Sequence, residues 1–325
     1  MSDRTSRFIS GDWGTSRLRL RLVDPASPGL PAGAEVESDD GIGPTFRAWQ
    51  EAGSPDDREA SYLGVLARAL DRLRDASGAD LDGLPLVLSG MASSTIGLRE
   101  LPYAPAPFRL SGESLPVARI APGVLPCETL LLSGVCTDSD VMRGEETILI
   151  GLAADGLADG LVVLPGTHSK HAVIRDGILE QFHTYMTGEL FAILREHSVL
   201  RPSLAPSPSL GDAFERGVRE AASGANLLRD LFSIRARSVL HGADPADNAA
   251  RLSGLLIGTE LLGLASGPDA DLPIVVASPE PLGSFYRSAL DVLGTGRRAR
   301  ALSPAEADRA VARGQGEVLR SHVGG

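Results

Sequence analysis

Short apolar runs and alternating runs divide the chain before any chemistry is considered. FISGD, from Phe8 to Asp12, reads as a buried strand, and RLRLRLVD, from Arg17 to Asp24, alternates with period two as a half-buried strand does. AEVESDDG, Ala34 to Gly41, offers a third strand. From Glu59 to Ala76, Leu63, Leu66, Leu70 and Leu73 recur at helical spacing, and LPLVLSG, Leu84 to Gly90, is a short apolar run of the kind found in parallel sheets. Pro102 to Pro126 is punctuated by proline and predicts loop with short strands. GEETILIGLAAD, Gly144 to Asp155, predicts a helix, and the GLADG that follows is the expected boundary between two domains, 1–155 and 156–325.

The opening pattern then returns. LVVLPGTHSKHAVIRDGILEQFHTYMT, Leu161 to Thr187, is again strand, polar Gly-Thr turn, strand, tight turn at Arg175-Asp176-Gly177, and strand, with the helix ELFAILREHSVL directly behind it. Further helices are predicted in LLRDLFSIRARSVL, AARLSGLLIGTELLGLAS and PLGSFYRSALDVLG, and a buried strand in LPIVVAS, Leu272 to Ser278. Both halves follow one plan, strand-turn-strand-strand-helix with the polar residues in the first turn. Internal duplication of an α/β unit is the economical reading.

Composition narrows the classes. The 325 residues are 43% hydrophobic, with no apolar run of membrane-spanning length and no apolar segment behind MSDRTSR, so a cytoplasmic protein without membrane association is expected. A net charge of −11 argues against nucleic acid as a partner, since phosphate-backbone binders need clustered Lys and Arg. Cys127 and Cys136 are too few for a disulfide framework. Lys170 is the single lysine in an arginine-rich chain.

The two turns carry the candidate chemistry. Rossmann and P-loop phosphate sites lie between a strand and a helix, whereas each Gly-Thr turn here runs into another strand, and neither GxGxxG nor GxxxxGK[ST] occurs. A hairpin can hold phosphate differently: glycine lets the backbone approach, successive N–H groups converge, and hydroxyls donate. Gly14, Thr15 and Ser16 supply those parts in GDWGTS; Gly166, Thr167, Ser169 and Lys170 supply them in PGTHSK. Asp12 cannot favour phosphate directly but can hold Mg²⁺, which bridges to it. Two such turns facing each other across a cleft would bind a nucleoside triphosphate tail. A turn of Asp, Gly, Ser and Thr is by itself usually only a turn, and it is the recurrence that carries weight. His168, His171 and His183 lack a cysteine or carboxylate at standard spacing, so zinc is not expected.

The arrangement resembles the sugar kinase, heat-shock protein 70 and actin superfamily, and more closely the 2-dehydro-3-deoxygalactonokinase family. The carrying segments are GDWGTSRLR, GMASSTIGLRELPYAPAP, DVMRGEETILIG, LPGTHSKHAVI, YMTGELFAILREHSVL and LSGLLIGTEL, spread in order over nearly the whole chain. The resemblance implies an α/β chain with two ribonuclease-H-like domains flanking a nucleotide cleft, the actin-like ATPase fold, in which the first domain bears the sugar site and the second the adenosine site. It further implies ATP-dependent phosphorylation of the 6-hydroxyl of 2-dehydro-3-deoxy-D-galactonate in galactonate breakdown, with Mg²⁺ and a small sugar-acid substrate; a homo-oligomer stays open.

Phosphoryl transfer needs positioning and charge neutralisation above all. Asp12 is the candidate metal organiser and Lys170 a point charge on the phosphates. In RGEET, Arg143 could fork onto a substrate carboxylate while Glu145 or Glu146 serves as base, Glu145 being favoured; caps and surface pairs are the plain alternative for the same residues. Gly90, Met91 and Arg99 with Glu100, in and after GMASST, are further substrate candidates. The resemblance also sets Gly254 and Gly258 along the nucleotide side, where small residues in a helix otherwise mean close packing, and Ser278 and Pro279 near adenine. A non-catalytic ATP-switched protein would need insertions for which the chain leaves little room, and a sugar-sensing regulator would need a basic DNA-binding module.

Overall fold

The computed structural model describes residues 7–24, 35–54, 57–224, 226–264, 269–278 and 280–323. Most of MSDRTSR, together with Ala34, Ala265, Ser266 and Pro279, which the sequence patterns assign to a strand, a helix and the adenine-side turn, lies outside them. The chain separates into two compact units, Met1–Leu157 with Gly177–Leu179 and Asp308–Gly325, and Ala158–Asp176 with Glu180–Ala307.

The first unit runs β1 (Phe8–Trp13), β2 (Leu18–Val23), β3 (Glu35–Ser38), α1 (Ile42–Glu51), α2 (Arg58–Ser77), β4 (Leu86–Gly90), β5 (Ala104–Pro105), β6 (Phe108–Arg109), β7 (Val117–Ile120), β8 (Thr129–Leu132), β9 (Val135–Cys136), β10 (Val141–Met142) and α3 (Glu145–Ala154). Its main sheet has the order β3-β2-β1-β4-β8-β7. β1 is antiparallel to β2 and parallel to β4, which in turn is parallel to β8. The alternation in β2 explains its burial: Leu18, Leu20 and Leu22 enter a core shared with Ile9, Trp13, Leu86 and Leu88 and with the α2 stripe of Leu63, Leu66, Leu70 and Leu73. The opposite face of β2 differs from the solvated one its arginines suggest. Arg21 is only 5% exposed and is clamped by Glu35 at 2.6 Å and Asp308 at 2.8 Å.

The second unit runs β11 (Gly160–Leu164), β12 (Ser169–Arg175), β13 (Ile178–Tyr185), α4 (Thr187–His197), α5 (Asp212–Ala222), α6 (Leu227–His241), α7 (Pro245–Leu261), β14 (Ile274–Val276), α8 (Leu282–Val292), β15 (Ala299–Ala301) and the start of α9 (Pro304–Val323). Its strands follow the order β13-β12-β11-β14-β15, with β11 antiparallel to β12, parallel to β14, and β14 parallel to β15. Each unit thus builds its sheet on the same 3-2-1-4-5 plan, the ribonuclease-H-like order, and in each the Gly-Thr turn is the hairpin between the first two strands. The chain has the α/β two-unit architecture expected from its repeated pattern. Residues 308–323 of α9 belong to the first unit, so a division at 155 leaves out its final helix. The reason is packing: Gly151 and Gly314 bring α3 and α9 into backbone contact, where an added Cβ would lie 1.9 Å from the carbonyl oxygens of Ala310 and Thr147 respectively.

Candidate active site

The first hairpin is braced from one side. Ile42 N–H donates to the Gly14 carbonyl at 3.0 Å and Gly43 N–H to the Thr15 carbonyl at 2.9 Å, both from the N-terminus of α1. Gly41 allows this approach, because a Cβ there would fall 2.2 Å from the Ser16 carbonyl carbon. A trans peptide directs its C=O and its N–H to opposite sides. With the Gly14 and Thr15 carbonyls turned onto α1, the N–H groups of Thr15 and Ser16 point away from it, on a turn whose Thr15 and Ser16 side chains are exposed. That is an anion-binding edge built from local geometry.

The second hairpin repeats the device. Glu189 N–H donates to the Thr167 carbonyl at 3.0 Å. Gly188, in the first turn of α4, admits the contact, since a Cβ would sit 2.4 Å from the Gly166 oxygen. Gly166 is half-buried and Thr167 exposed, but Ser169 and Lys170 turn inward. Ser169 Oγ donates to Glu260 Oε1 at 2.6 Å, and Lys170 Nζ donates to the His168 carbonyl at 2.9 Å, inside the turn itself. His168 pairs with Glu189 at 2.7 Å, and His171 with Glu260 at 2.8 Å.

Asp12 stands at the C-terminal end of β1, opposite Arg19 in the register. Burial pushes its carboxyl above the ordinary range; Arg19 and Arg21 pull it down, while Glu145 and Asp308 push it up. A half-buried carboxylate offers the hard oxygen that a divalent ion takes, and among the described residues no group of three or more His, Cys, Asp and Glu stands with it, so the remaining positions would fall to water and phosphate. Gly90 completes the wall: it ends β4 at φ 89, and a Cβ would meet the Trp13 oxygen at 2.8 Å and Asp12 Oδ1 at 3.2 Å. Gly144, at φ 108, approaches the Gly90 Cα in turn, so the end of β4 and the start of α3 converge beside Asp12. Met91 follows, half-buried, in a short 3₁₀ turn.

In the RGEET segment the two glutamates divide. Glu145 is half-buried and accepts from Arg143 N–H at 3.0 Å. Glu146 is fully buried, accepts from Gly144 N–H at 2.9 and 2.7 Å, and has its carboxyl pushed up to about 8 by burial and by Glu145. It is protonated at neutral pH and has no exposed surface. Arg143 is similarly occupied: Nη1 donates to the Ser93 carbonyl at 2.6 Å and to its Oγ at 2.5 Å, Nη2 to Leu101 O at 3.3 Å and Nε to Tyr103 Oη at 3.3 Å. The guanidinium also lies 4.1 Å from the Tyr103 ring centroid. A fork onto a substrate carboxylate would have to break this strut. Arg99 likewise forms a two-point pair with Glu59 at 2.8 and 3.2 Å.

Beside the second hairpin a cavity of about 240 Å³ opens between Gly166, Thr187, Phe191, Leu256, Pro281 and Tyr286. Ser278 is buried at the end of β14. Gly254 and Gly258 do not line this cavity. Their missing side chains let α7 seat on α5: a Cβ on Gly254 would lie 2.1 Å from the Phe214 oxygen, and one on Gly258 3.0 Å from Val218 Cα. Of that stretch, Ser253, Leu256 and Ile257 face the cavity.

A family model described as 2-keto-3-deoxy-galactonokinase matches residues 12–318. The "Probable 2-dehydro-3-deoxygalactonokinase DgoK1" of Rhizobium meliloti (strain 1021) is 37% identical over 326 residues, covering 97% of each chain. The 2-dehydro-3-deoxygalactonokinase of Escherichia coli (strain K12) is 32% identical, covering 89% of this chain and 91% of its own. The chain belongs to the 2-keto-3-deoxy-galactonokinase family. A Sinorhizobium meliloti crystal structure bearing the same enzyme name superposes with a TM-score of 0.79 at 32% identity, over 96% of this chain and 98% of that one. Membership makes this chain a sugar-acid kinase, and the fold is the family's over the 96% of the chain that superposes.

Several residues of this family member's site escape the sequence patterns. Gly41 and Gly188 act through contacts with turns that precede them by 20 residues or more, which no local motif reports. Asp308 reaches Arg21 from the far end of the chain. Glu260 did leave a signal: it is the one carboxylate in the apolar run LSGLLIGTELLG, and a charge on a buried helix face needs partners. Among the described residues no helix is long and apolar enough to cross a membrane.

Proposed function

We propose that the protein transfers the γ-phosphoryl group of ATP to the 6-hydroxyl of 2-dehydro-3-deoxy-D-galactonate. The observation that carries this reading is the pair of hairpins braced alike by a helix N-terminus and a glycine, one of them beside Asp12 and Glu145, in a chain of the 2-keto-3-deoxy-galactonokinase family. The amides of Thr15 and Ser16 with their hydroxyls, and the second turn at Gly166 and Thr167, receive phosphate oxygens. Lys170 adds its charge from inside the second turn, while Ser169 acts one layer deeper by fixing β12. The 240 Å³ cavity, apolar and beginning at Gly166, takes the nucleoside, with Ser278 close to the same strand end.

Asp12 is the residue that would hold Mg²⁺; when bound, the ion neutralises charge on the phosphates. Glu145 accepts the proton of the 6-hydroxyl as the oxygen bonds to the γ-phosphorus and the bond to the β–γ bridging oxygen breaks, releasing ADP. It suits this better than Glu146, which already carries its proton at neutral pH. Gly90 and Met91 form the wall against which the sugar lies, and Arg143 serves that wall by tying Ser93, Leu101 and Tyr103 to the base of α3.

A coupled ADP-release assay across 2-dehydro-3-deoxy sugar acids, with glucose and glycerol as controls, tests the reading, and phosphorus NMR of the product locates the phosphoryl group. Turnover confined to another sugar class, or a product phosphorylated away from C6, would sink it.

A further inference from the structure

One buried carboxylate in the second unit has no part in the chemistry above, yet it gathers the structures that hold the nucleotide. Glu260 lies on α7, 5% exposed. Its Oε1 accepts from Ser169 Oγ at 2.6 Å and His171 Nε2 at 2.8 Å, and its Oε2 accepts from Tyr286 Oη at 2.6 Å. The Thr187 hydroxyl is a further donor. Burial raises the carboxyl, but the bonds from His171, Ser169 and Thr187 outweigh it and hold the group ionised, below its ordinary range.

The donors come from three other elements. Ser169 and His171 begin β12, directly after the Gly166-Thr167 turn. Thr187 opens α4 and is followed by Gly188, whose backbone sits on Gly166. Tyr286 is on α8, and together with Thr187 it lines the apolar cavity. Four elements therefore meet on one side chain, two of them shaping the phosphate turn and two lining the nucleoside pocket.

We propose that Glu260 is a positioning residue for the nucleotide: it locks the distance and orientation between the second phosphate turn and the cavity that receives the nucleoside. The proposal rests on the ATP-dependent reading above. A charge-assisted bond is worth more than a neutral one, and an oriented four-donor shell cannot be satisfied by an amide that offers one acceptor oxygen. Glu260→Gln keeps the volume and removes the charge.

The expected result for Glu260→Gln is a rise of about tenfold or more in KM for ATP, the loss of one or two charge-assisted hydrogen bonds. KM for the sugar acid should change less than about twofold, and the MgADP dissociation constant measured by calorimetry should rise by the same factor as KM for ATP. A purely structural role would lower the melting temperature without separating the two KM values. Tyr286→Phe and Ser169→Ala each remove one donor, leave the carboxylate in place, and should weaken MgADP by roughly threefold to fivefold. They carry the test if Glu260→Gln fails to fold. Unchanged MgADP binding in these two variants, or a Glu260→Gln protein with equal changes in both KM values, would overturn the proposal while leaving the kinase reading intact. A wild-type chain that does not bind MgADP would overturn both.

Discussion

The two hairpins share a backbone and differ in everything set around it. Each has carbonyl oxygen held by a following helix through a glycine, Gly14 and Thr15 beside Gly41 in one unit and Thr167 beside Gly188 in the other. The first is surrounded by formal charge: Asp12, Glu145 and Asp308 against Arg19 and Arg21. The second has its one buried carboxylate sealed beneath it and an apolar cavity beside it. One backbone frame thus occurs twice in different surroundings, formal charge in the first unit and apolar walls in the second. A frame of backbone amides can diverge in this way because its function does not depend on which side chains flank it.

The sharpest way to break the comparison is at Asp12. Asp12→Asn should lower turnover by about 10³-fold or more, as loss of a metal-held phosphoryl charge implies. Because burial raises the folded pKa of Asp12, its ionisation opposes folding as pH rises above the usual carboxylate range, so the variant should melt no lower than wild type at pH 7. Near wild-type turnover would show that the charged hairpin is not the reacting one. Glu145→Gln should reduce kcat by roughly 10² to 10⁴ with KM for ATP unchanged, the size expected of a lost general base; steady-state kinetics decides.

The braces permit a direct contrast. Gly41→Ala and Gly188→Ala each force a Cβ into backbone and should cost about 1–3 kcal/mol in stability, read by thermal melts. Gly188→Ala should raise KM for ATP and Gly41→Ala should lower kcat; the same kinetic defect in both would erase the division of labour. The smallest effect on activity is expected at Glu146, which sits deeper than either hairpin. Its folded pKa of about 8 exceeds the unfolded value. The unfolded chain therefore releases this proton first, and stability falls as pH rises between the two values, by at most about 1.4 kcal/mol per pH unit. Glu146→Gln removes that slope, so its melting temperature should gain on wild type from pH 5 to pH 8.

Much of this was legible in the residues because the governing physics is local. Alternation in RLRLRLVD and the spacing of Leu63, Leu66, Leu70 and Leu73 predict a strand and a helix that both bury the expected leucines. The Asp176-Gly177 turn takes positive φ at both positions, as a two-residue hairpin requires. What local pattern could not report was partnership. Arg143 has the composition of a carboxylate ligand, and only contacts 40 to 50 residues away, at Ser93, Leu101 and Tyr103, reveal that its donors are already spoken for. Gly254 and Gly258 fit a nucleotide-facing stripe and a helix seam equally well by sequence; the Phe214 carbonyl selects the seam. Glu145 and Glu146 are adjacent and chemically identical, and only their unequal burial separates the half-exposed group from the one that already holds its proton.

One contact reaches further than its size suggests. Gln315, on α9, donates to the Gly11 carbonyl and to Ser89 Oγ, both at 2.9 Å, at the centre of the first sheet. Gly11 adjoins Asp12 on β1, so the helix that closes over this strand comes from 304 residues further along the chain. Without that helix the first unit keeps an open seam, since β1 and β4 take this partner from 304 and 226 residues downstream. Contacts of such sequence separation carry a loop-closure cost and form slowly. The second unit, contiguous but for three residues, closes without so long a loop.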